Sequence, residues 1–155
     1  MESDSPESPA TAIGWREFVA LPDWGIPRIK AKADTGARTS ALDVVDLDLQ
    51  EDGQVTFHVV VREAPRLKLV EVVAPVVRMA SVKPRPGEVE VRPVVRTCMV
   101  LGGMEREIEV SLLRREGMLC RMLLGRKALA DAFLVDPGSK YLVSGRAAAD
   151  MGGQS

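Results

Sequence analysis

Apolar and polar residues alternate along much of the chain, and a period of two predicts half-buried β-strands. The clearest examples are Ala41–Gln50, Val55–Arg62 and Arg106–Leu113. The first two segments are separated by Glu51-Asp52-Gly53-Gln54, and an Asp-Gly pair favours the positive φ angles of a tight hairpin turn. The sequence therefore predicts an antiparallel hairpin between these two segments.

The rest of the pattern adds more strands and very little helix. Further strands are predicted at residues 15–21, 28–33, 67–82, 89–100, 118–124, 133–135 and 141–143. Pro75 makes the 67–82 segment an edge or bulged strand, and Pro137-Gly138 is predicted as a turn. Only Arg126–Phe133 has helical apolar spacing, over two turns. This pattern predicts an all-β fold, a closed or partly closed β barrel with one short helix near the C-terminus.

Composition places the chain among single-domain proteins. It has 155 residues, of which 46% are hydrophobic, enough for one core, and we expect a domain at 13–145 between flexible tails at 1–12 and 146–155. The formal net charge of −1 gives no general reason to expect nucleic acid or a membrane as partner. Cys98 and Cys120 lie in apolar runs and are expected to be buried. The first residues do not resemble a secretory signal, so we expect a cytoplasmic protein.

The most informative stretch joins a predicted strand to Asp34-Thr35-Gly36-Ala37. An acid at a strand end, followed by a hydroxyl and a glycine, fits a tight loop that presents a carboxylate. The alternative is that Asp34 only caps its own turn, as most Asp-x-Gly triplets do.

Asp-Thr-Gly-Ala at a strand end resembles the retropepsin-like aspartic peptidases. The longer run from Gly25 to Leu42 resembles a bacterial family, often labelled ATP-dependent zinc protease, that is grouped with retropepsins. In that family a later strand ends in two or three apolar residues, a glycine and a short helix, and Met122-Leu123-Leu124-Gly125-Arg126 has this form. We expect a glycine there because the strand crosses close beside the acid loop.

The resemblance also implies a hairpin flap that closes over the substrate. Residues 82–93 occupy the matching place, with a tip at Arg85-Pro86-Gly87. The resemblance therefore covers the acid loop, the flap, the apolar-Gly strand and the short helix in the family's order.

Aspartic peptidases need two carboxylates that share one water. This chain has a single Asp-Thr-Gly, so the resemblance implies a homodimer in which each copy supplies Asp34, with Thr35 and Gly36 shaping the loops. Two carboxylates about 3 Å apart should hold one proton between them.

The resemblance also points to an acidic substrate. Four cations could line the cleft next to Ala37 and favour acidic peptides, namely Arg38, Lys83, Arg85 and Arg126. The alternative is that each is an ordinary solvated surface group. Members of the family resemble partners of ATP-grasp glutamate ligases, which implies glutamate-rich tails as substrates and a link to such a ligase.

Other functions fit the residues less well. A catalytic zinc usually has three protein ligands, but the chain contains one histidine, His58, expected on the outer face of a hairpin, and no His-Glu-x-x-His. We therefore predict neither a metal nor another cofactor. The competing function of a different class is a retropepsin-fold module that binds a peptide without cutting it, because fold does not fix function.

Overall fold

The computed structural model describes residues 10–83, 85–113 and 120–144. These residues form ten β-strands, one short α-helix (α1, Arg126–Leu129) and a 3₁₀ turn at Pro22–Trp24. The strands are β1 (Thr11–Leu21), β2 (Ile26–Ala33), β3 (Ser40–Leu49), β4 (Gln54–Arg62), β5 (Lys68–Pro75), β6 (Arg78–Val82), β7 (Glu90–Leu101), β8 (Met104–Leu113), β9 (Met122–Leu124) and β10 (Phe133–Lys140). Within these residues no helix has the length and apolar character needed to cross a bilayer.

The strands are hydrogen-bonded in the order β10-β1-β2-β9-β3-β8-β7-β6. An additional pairing, Ala20 with Val100, joins β1 to β7 and closes six strands into a ring. β4 and β5 extend from β3 outside this ring. The prediction of a mostly β fold with one short helix is confirmed for the described residues.

Alternation along the strands sorts side chains between the core and the surface. In β4, Val55, Phe57 and Val59 are buried, and the rings of Trp24 and Phe57 form a T-shaped pair at a centroid distance of 5.6 Å. The predicted β3–β4 hairpin is present, with Gly53 at φ 86° in its turn. The half-buried strands that the pattern predicted are therefore the ones that build the core.

Residues 67–82, predicted as one strand, form two strands. β5 pairs with β4 and β6 pairs with β7, so the long hairpin with 89–100 is restricted to β6 and β7. The chain changes partner after Pro75, which has no N–H to continue a ladder. Val76 N–H donates to Gly53 O and Val77 N–H donates to Val94 O.

The C-terminal part also differs from the prediction. The helix has one turn rather than two, because Ala130 is extended after donating to Arg126 O and Asp131 adopts a left-handed φ of 67°. β10 continues through the predicted Pro137-Gly138 turn to Lys140. Residues 142–144 are a turn and not the predicted strand.

The turn at 142–144 is caused by Glu17, a β1 residue that the alternation of apolar and polar residues does not distinguish from its neighbours. Its carboxylate is only 1% exposed, and it accepts hydrogen bonds from the backbone N–H groups of Gly14, Leu142, Val143 and Ser144. The Ser144 hydroxyl donates to the same carboxylate at 2.7 Å. This acceptor fixes the segment after β10 as a turn around β1.

Several smaller predictions are also settled. Cys120 is buried as expected, whereas Cys98 is only half-buried, and its thiol donates to the Glu105 carboxylate at 3.3 Å. His58 is half-buried and its Nδ1 lies 3.1 Å from an Asp46 oxygen. The strand predicted at 118–124 is observed as 122–124, and residues 118 and 119 lie outside the described residues. Of the predicted tails at 1–12 and 146–155, residues 1–9 and 146–155 also lie outside the described residues, whereas Thr11 and Ala12 are not tail but the first residues of β1.

Candidate active site

The Asp34 loop, residues 34–39, begins where β2 ends. β2 runs parallel to β9, with Ala31 opposite Met122 and Ala33 opposite Leu124. The backbone N–H of Asp34 then donates to Leu124 O at 2.9 Å. The apolar-Gly strand predicted near the C-terminus therefore lies directly against the strand that carries the acid.

The loop closes on its own aspartate. Gly36 N–H donates to Asp34 Oδ1 at 3.2 Å, and Ala37 N–H donates to Asp34 O at 3.1 Å. Asp34 thus caps its turn, as the structural alternative supposed, but with one oxygen. Asp34 Oδ2 has no hydrogen-bond partner among the described residues, and the residue is half-buried while Thr35 and Gly36 are exposed. One carboxylate oxygen orders the loop, and the other accepts no hydrogen bond from a described donor.

Gly125 follows the last residue of β9 and lies against the end of the Asp34 loop. A Cβ on Gly125 would approach Thr39 C to 2.6 Å and Arg38 O to 2.8 Å, both backbone atoms. The expectation that this strand passes too close for a side chain is confirmed. Gly125 N–H donates to Ser40 Oγ at 3.0 Å, and Ser40 is 1% exposed. The sequence analysis missed Ser40, whose only sequence signal is a hydroxyl at the start of a buried strand.

The first residues of α1 complete the support of the loop. Arg126 N–H donates to Ala37 O at 2.8 Å and Lys127 N–H donates to Arg38 O at 3.0 Å. The Arg126 guanidinium donates to Thr35 O at 3.0 Å. Arg126 therefore helps to order the loop, while Arg38 is exposed beside it. Substrate contact by either arginine stays a prediction.

Lys83 and Arg85 lie apart from this cluster, at the tip of the β6–β7 hairpin. Val82 pairs with Glu90, Gly87 has a φ of 80°, and Glu88 N–H donates to Arg85 O at 3.0 Å. Lys83 and Arg85 are exposed, and Arg85 lies 3.7 Å from the Glu88 carboxylate. In the part of the chain that the structure describes, no hydrogen bond or ion pair joins either cation to the Asp34 loop. A hairpin occupies the place predicted for a flap, and closure over a substrate stays a prediction.

A link that the sequence did not reveal connects this hairpin to the loop. Arg78 of β6 donates to Thr39 Oγ1 at 3.2 Å and to Glu109 Oε1 of β8 at 3.1 Å, while Arg96 of β7 donates to Glu109 Oε2 at 3.4 Å. Burial would raise the pKa of Glu109, but the Arg78 hydrogen bond and charge, with Lys127 and Arg96, together lower it. Glu109 is therefore ionised at neutral pH and ties three strands to the loop.

The described residues contain no group of three or more His, Cys, Asp or Glu side chains placed to hold a metal ion. The group available for chemistry in this site is the half-buried Asp34 carboxylate, on a loop held by β9 and α1. A single carboxylate of this kind can accept a proton from water, and hydrolysis by an acid-base pair requires a second one.

A family model described as "Retropepsin-like aspartic endopeptidase RimB" matches residues 12–145. A probable alpha-L-glutamate ligase from Shewanella halifaxensis is 36% identical over 132 residues, covering 83% of this chain and 29% of the ligase. A second probable alpha-L-glutamate ligase, from Desulfotalea psychrophila, is 38% identical over 81% of this chain and 28% of the ligase. The chain thus spans less than a third of the length of these relatives.

A similar solved structure is the crystal structure of a protein of unknown function from Legionella pneumophila. Its TM-score is 0.70 at 29% sequence identity, and the match covers 86% of this chain and 98% of that protein.

Proposed function

The chain belongs to the RimB-like family of retropepsin-like aspartic endopeptidases, and from that premise we propose that it hydrolyses peptide bonds with the Asp34 carboxylate. The observation that supports this most is the Asp34 loop itself. Its backbone is bound to Leu124, Arg126 and Lys127, so the half-buried carboxylate is held in place before any substrate arrives.

The second carboxylate comes from a second copy of the chain. Two Asp34 loops meeting at a twofold axis would hold one water between an ionised and a protonated carboxyl group. The ionised group takes a proton from the water as it attacks the scissile carbonyl, and the protonated group donates to the carbonyl oxygen. The carboxyl group that took the water's proton then passes it to the leaving amine as the C–N bond breaks, and the other carboxylate takes back a proton from the gem-diol as the product carboxyl group forms. In this proposal the strand ring serves as a closed barrel that carries the loop, and Thr35 and Gly36 shape the contact between the two loops.

The substrate that we propose is an acidic, glutamate-rich peptide. Arg38 is exposed beside the Asp34 loop and Lys83 is exposed on the hairpin, so both are available to carboxylates. Arg85 is exposed on the same hairpin, and a substrate carboxylate would compete there with Glu88. The relatives named probable alpha-L-glutamate ligase support a role in the same cytoplasmic pathway as an ATP-grasp ligase that makes such a tail.

The test is digestion of a peptide library by the wild type and by Asp34→Asn in parallel. Asp136→Asn is the matched control, because Asp136 Oδ1 accepts from Gly138 N–H just as Asp34 Oδ1 accepts from Gly36 N–H. We expect Asp34→Asn to lose at least about a thousandfold in kcat/KM, since neither proton transfer remains, and Asp136→Asn to keep its activity. Equal activity in wild type and Asp34→Asn would refute the proposal.

One observation favours a second function. The relatives that contain a similar segment are named ligases and not peptidases, and the segment occupies 28–29% of their length. A module that binds an acidic peptide tail without cutting it would be compatible with the ligase function in those names. Binding of acidic peptides with no cleavage by the wild type, at any protein concentration, would favour this function.

A further inference from the structure

Three cations lie side by side on the outer face of the sheet that leads to Asp34. Arg16 of β1 pairs with Lys140 of β10 on one side and with Lys32 of β2 on the other. Residues paired in this way project to the same face, with Cβ atoms about 5 Å apart. We call these three residues the cationic row.

Two side chains of the row, those of Arg16 and Lys140, converge on one aromatic ring. The Arg16 guanidinium lies 4.7 Å from the centroid of the Trp15 ring, and the Lys140 ammonium lies 5.7 Å from the same centroid. Tyr141 N–H donates to Arg16 O at 2.8 Å, and Glu17 holds residues 142–144 just beyond, so Lys140 is fixed next to Arg16.

No described carboxylate neutralises the row. None of the ion pairs among the described residues includes Arg16, Lys32 or Lys140. The nearby Glu17 carboxylate turns inward to backbone donors, and Asp136 is occupied by Gly138 N–H and the Ser139 hydroxyl, both at 2.9 Å. Arg16 Nε is buried and has no hydrogen-bond partner among the described residues.

Like charges on directly paired strand positions repel each other, so an unneutralised row costs stability. A free energy cost of this kind is typical of a binding site whose ligand supplies the missing charge. The missing ligand is an oxyanion, because the row presents a guanidinium and two ammonium groups and no acceptor.

The position of the row relative to Asp34 indicates the chemical class of the molecule that carries this oxyanion. Lys32 precedes Asp34 by two residues, which is about 7 Å along a strand, the length of two residues of an extended peptide. The chain as a whole has a net charge of −1, which gives no long-range attraction for a nucleic-acid backbone.

We propose that the cationic row is a subsite for the carboxylate side chain of a substrate residue that lies about two positions from the scissile bond. This inference rests on the proposed peptidase function and assigns the specificity for acidic residues to Lys32, Arg16 and Lys140, in addition to the cations predicted from the sequence.

The test separates binding from cleavage. Asp34→Asn protein is titrated with a labelled eight-residue peptide of alternating Glu and Ala and with its Gln counterpart. We expect the Glu peptide to bind about tenfold more tightly, and Lys32→Gln or Lys140→Gln, in the same background, to reduce this ratio to about twofold. Lys32→Arg should keep it, because the charge is retained. Lys68→Gln is the control, since it removes a lysine from β5, which pairs only with β4.

The outcomes distinguish the row from the peptidase function. If the ratio of the affinities for the Glu and Gln peptides is unchanged in both Lys32→Gln and Lys140→Gln, the cationic row is not a carboxylate subsite, whether or not the wild type cleaves peptides. A row-dependent ratio in a protein that cleaves nothing supports the row and refutes the peptidase. An RNA octamer that binds more tightly than the Glu peptide and displaces it would replace the proposed occupant and overturn the subsite.

Discussion

Single residues with no charge do much to hold the Asp34 loop. Gly125 lets β9 pass within contact distance of the backbone at Arg38 and Thr39, and the buried Ser40 hydroxyl accepts from the Gly125 N–H. Backbone groups of the loop are thereby satisfied at a point where no water needs to enter. The geometry of the carboxylate depends on the absence of a side chain at position 125.

Gly125→Ala should therefore destabilise the protein by about 1–3 kcal/mol, because its Cβ would overlap backbone atoms that cannot rotate away. We also expect loss of peptidase activity as the Asp34 loop shifts. Urea unfolding monitored by circular dichroism measures the first effect and kcat/KM the second. Gly138→Ala is the control, since its Cβ would meet only an Asp136 oxygen, at 3.5 Å. Equal stability of the two variants would contradict this account.

At the scale of elements, the β6–β7 hairpin is joined to the loop through charge. Arg78 on β6 donates both to Thr39 of the Asp34 loop and to Glu109 on β8, and Arg96 on β7 donates to the same carboxylate. A hairpin that carries the predicted flap tip is thus anchored next to the acid by one ionised glutamate. Displacing the hairpin would disturb Thr39.

This anchor predicts a pH dependence of stability. The pKa of Glu109 is lowered in the folded protein by its arginines against the effect of burial, so its contribution to stability is present above the ordinary pKa of a glutamate and is lost as the pH falls through the folded-state value. Glu109→Gln should cost about 1 kcal/mol of unfolding free energy at neutral pH, and this cost should shrink as the pH falls through the folded-state pKa of Glu109.

Urea unfolding at several pH values measures this difference. Glu107→Gln is the control, because Glu107 is exposed on the same strand and takes part in no ion pair among the described residues. A stability gap between wild type and Glu109→Gln that persists at low pH would show that the side chain acts by packing instead of charge.

At the scale of the whole molecule, a chain with one Asp-Thr-Gly can act as an aspartic peptidase only in pairs. The ring of six strands brings β2 and β9 side by side next to α1, and Thr35, Gly36 and Arg38 of the Asp34 loop are exposed there.

An active site shared by two copies predicts that an inactive copy abolishes the activity of the wild-type copy with which it pairs. After subunit exchange, an equal mixture of wild type and Asp34→Asn should leave about a quarter of the dimers with two aspartates. Activity per wild-type chain should then fall by about half, and further as the Asp34→Asn excess grows. Steady-state hydrolysis measures this, with Asp136→Asn as the added control protein. Activity per wild-type chain that does not change would indicate a catalytic monomer.

Strand periodicity along the sequence was enough to place most of the β elements, the β3–β4 hairpin and the strand that ends at Asp34, because alternation is imposed by a core on one face of each strand. The role of Gly125 was predicted from the resemblance to retropepsins, which implied that its strand crosses close beside the acid loop. The break after Pro75 and the turn at 142–144 could not be predicted from strand periodicity, because each depends on a partner distant in sequence, Val94 and Glu17 respectively.

The sequence by itself thus determined that an acid lies at a strand end within a mostly β protein, because local alternation and loop chemistry are written in consecutive residues. Only the tertiary structure decided which groups surround that acid. In the folded protein, Arg126 orders the loop and Arg78 links Thr39 to Glu109. Strand pairing also aligns Lys140, Arg16 and Lys32 across three strands. Charge that is balanced over the whole chain becomes concentrated locally, because strand pairing places side by side residues that are far apart in sequence.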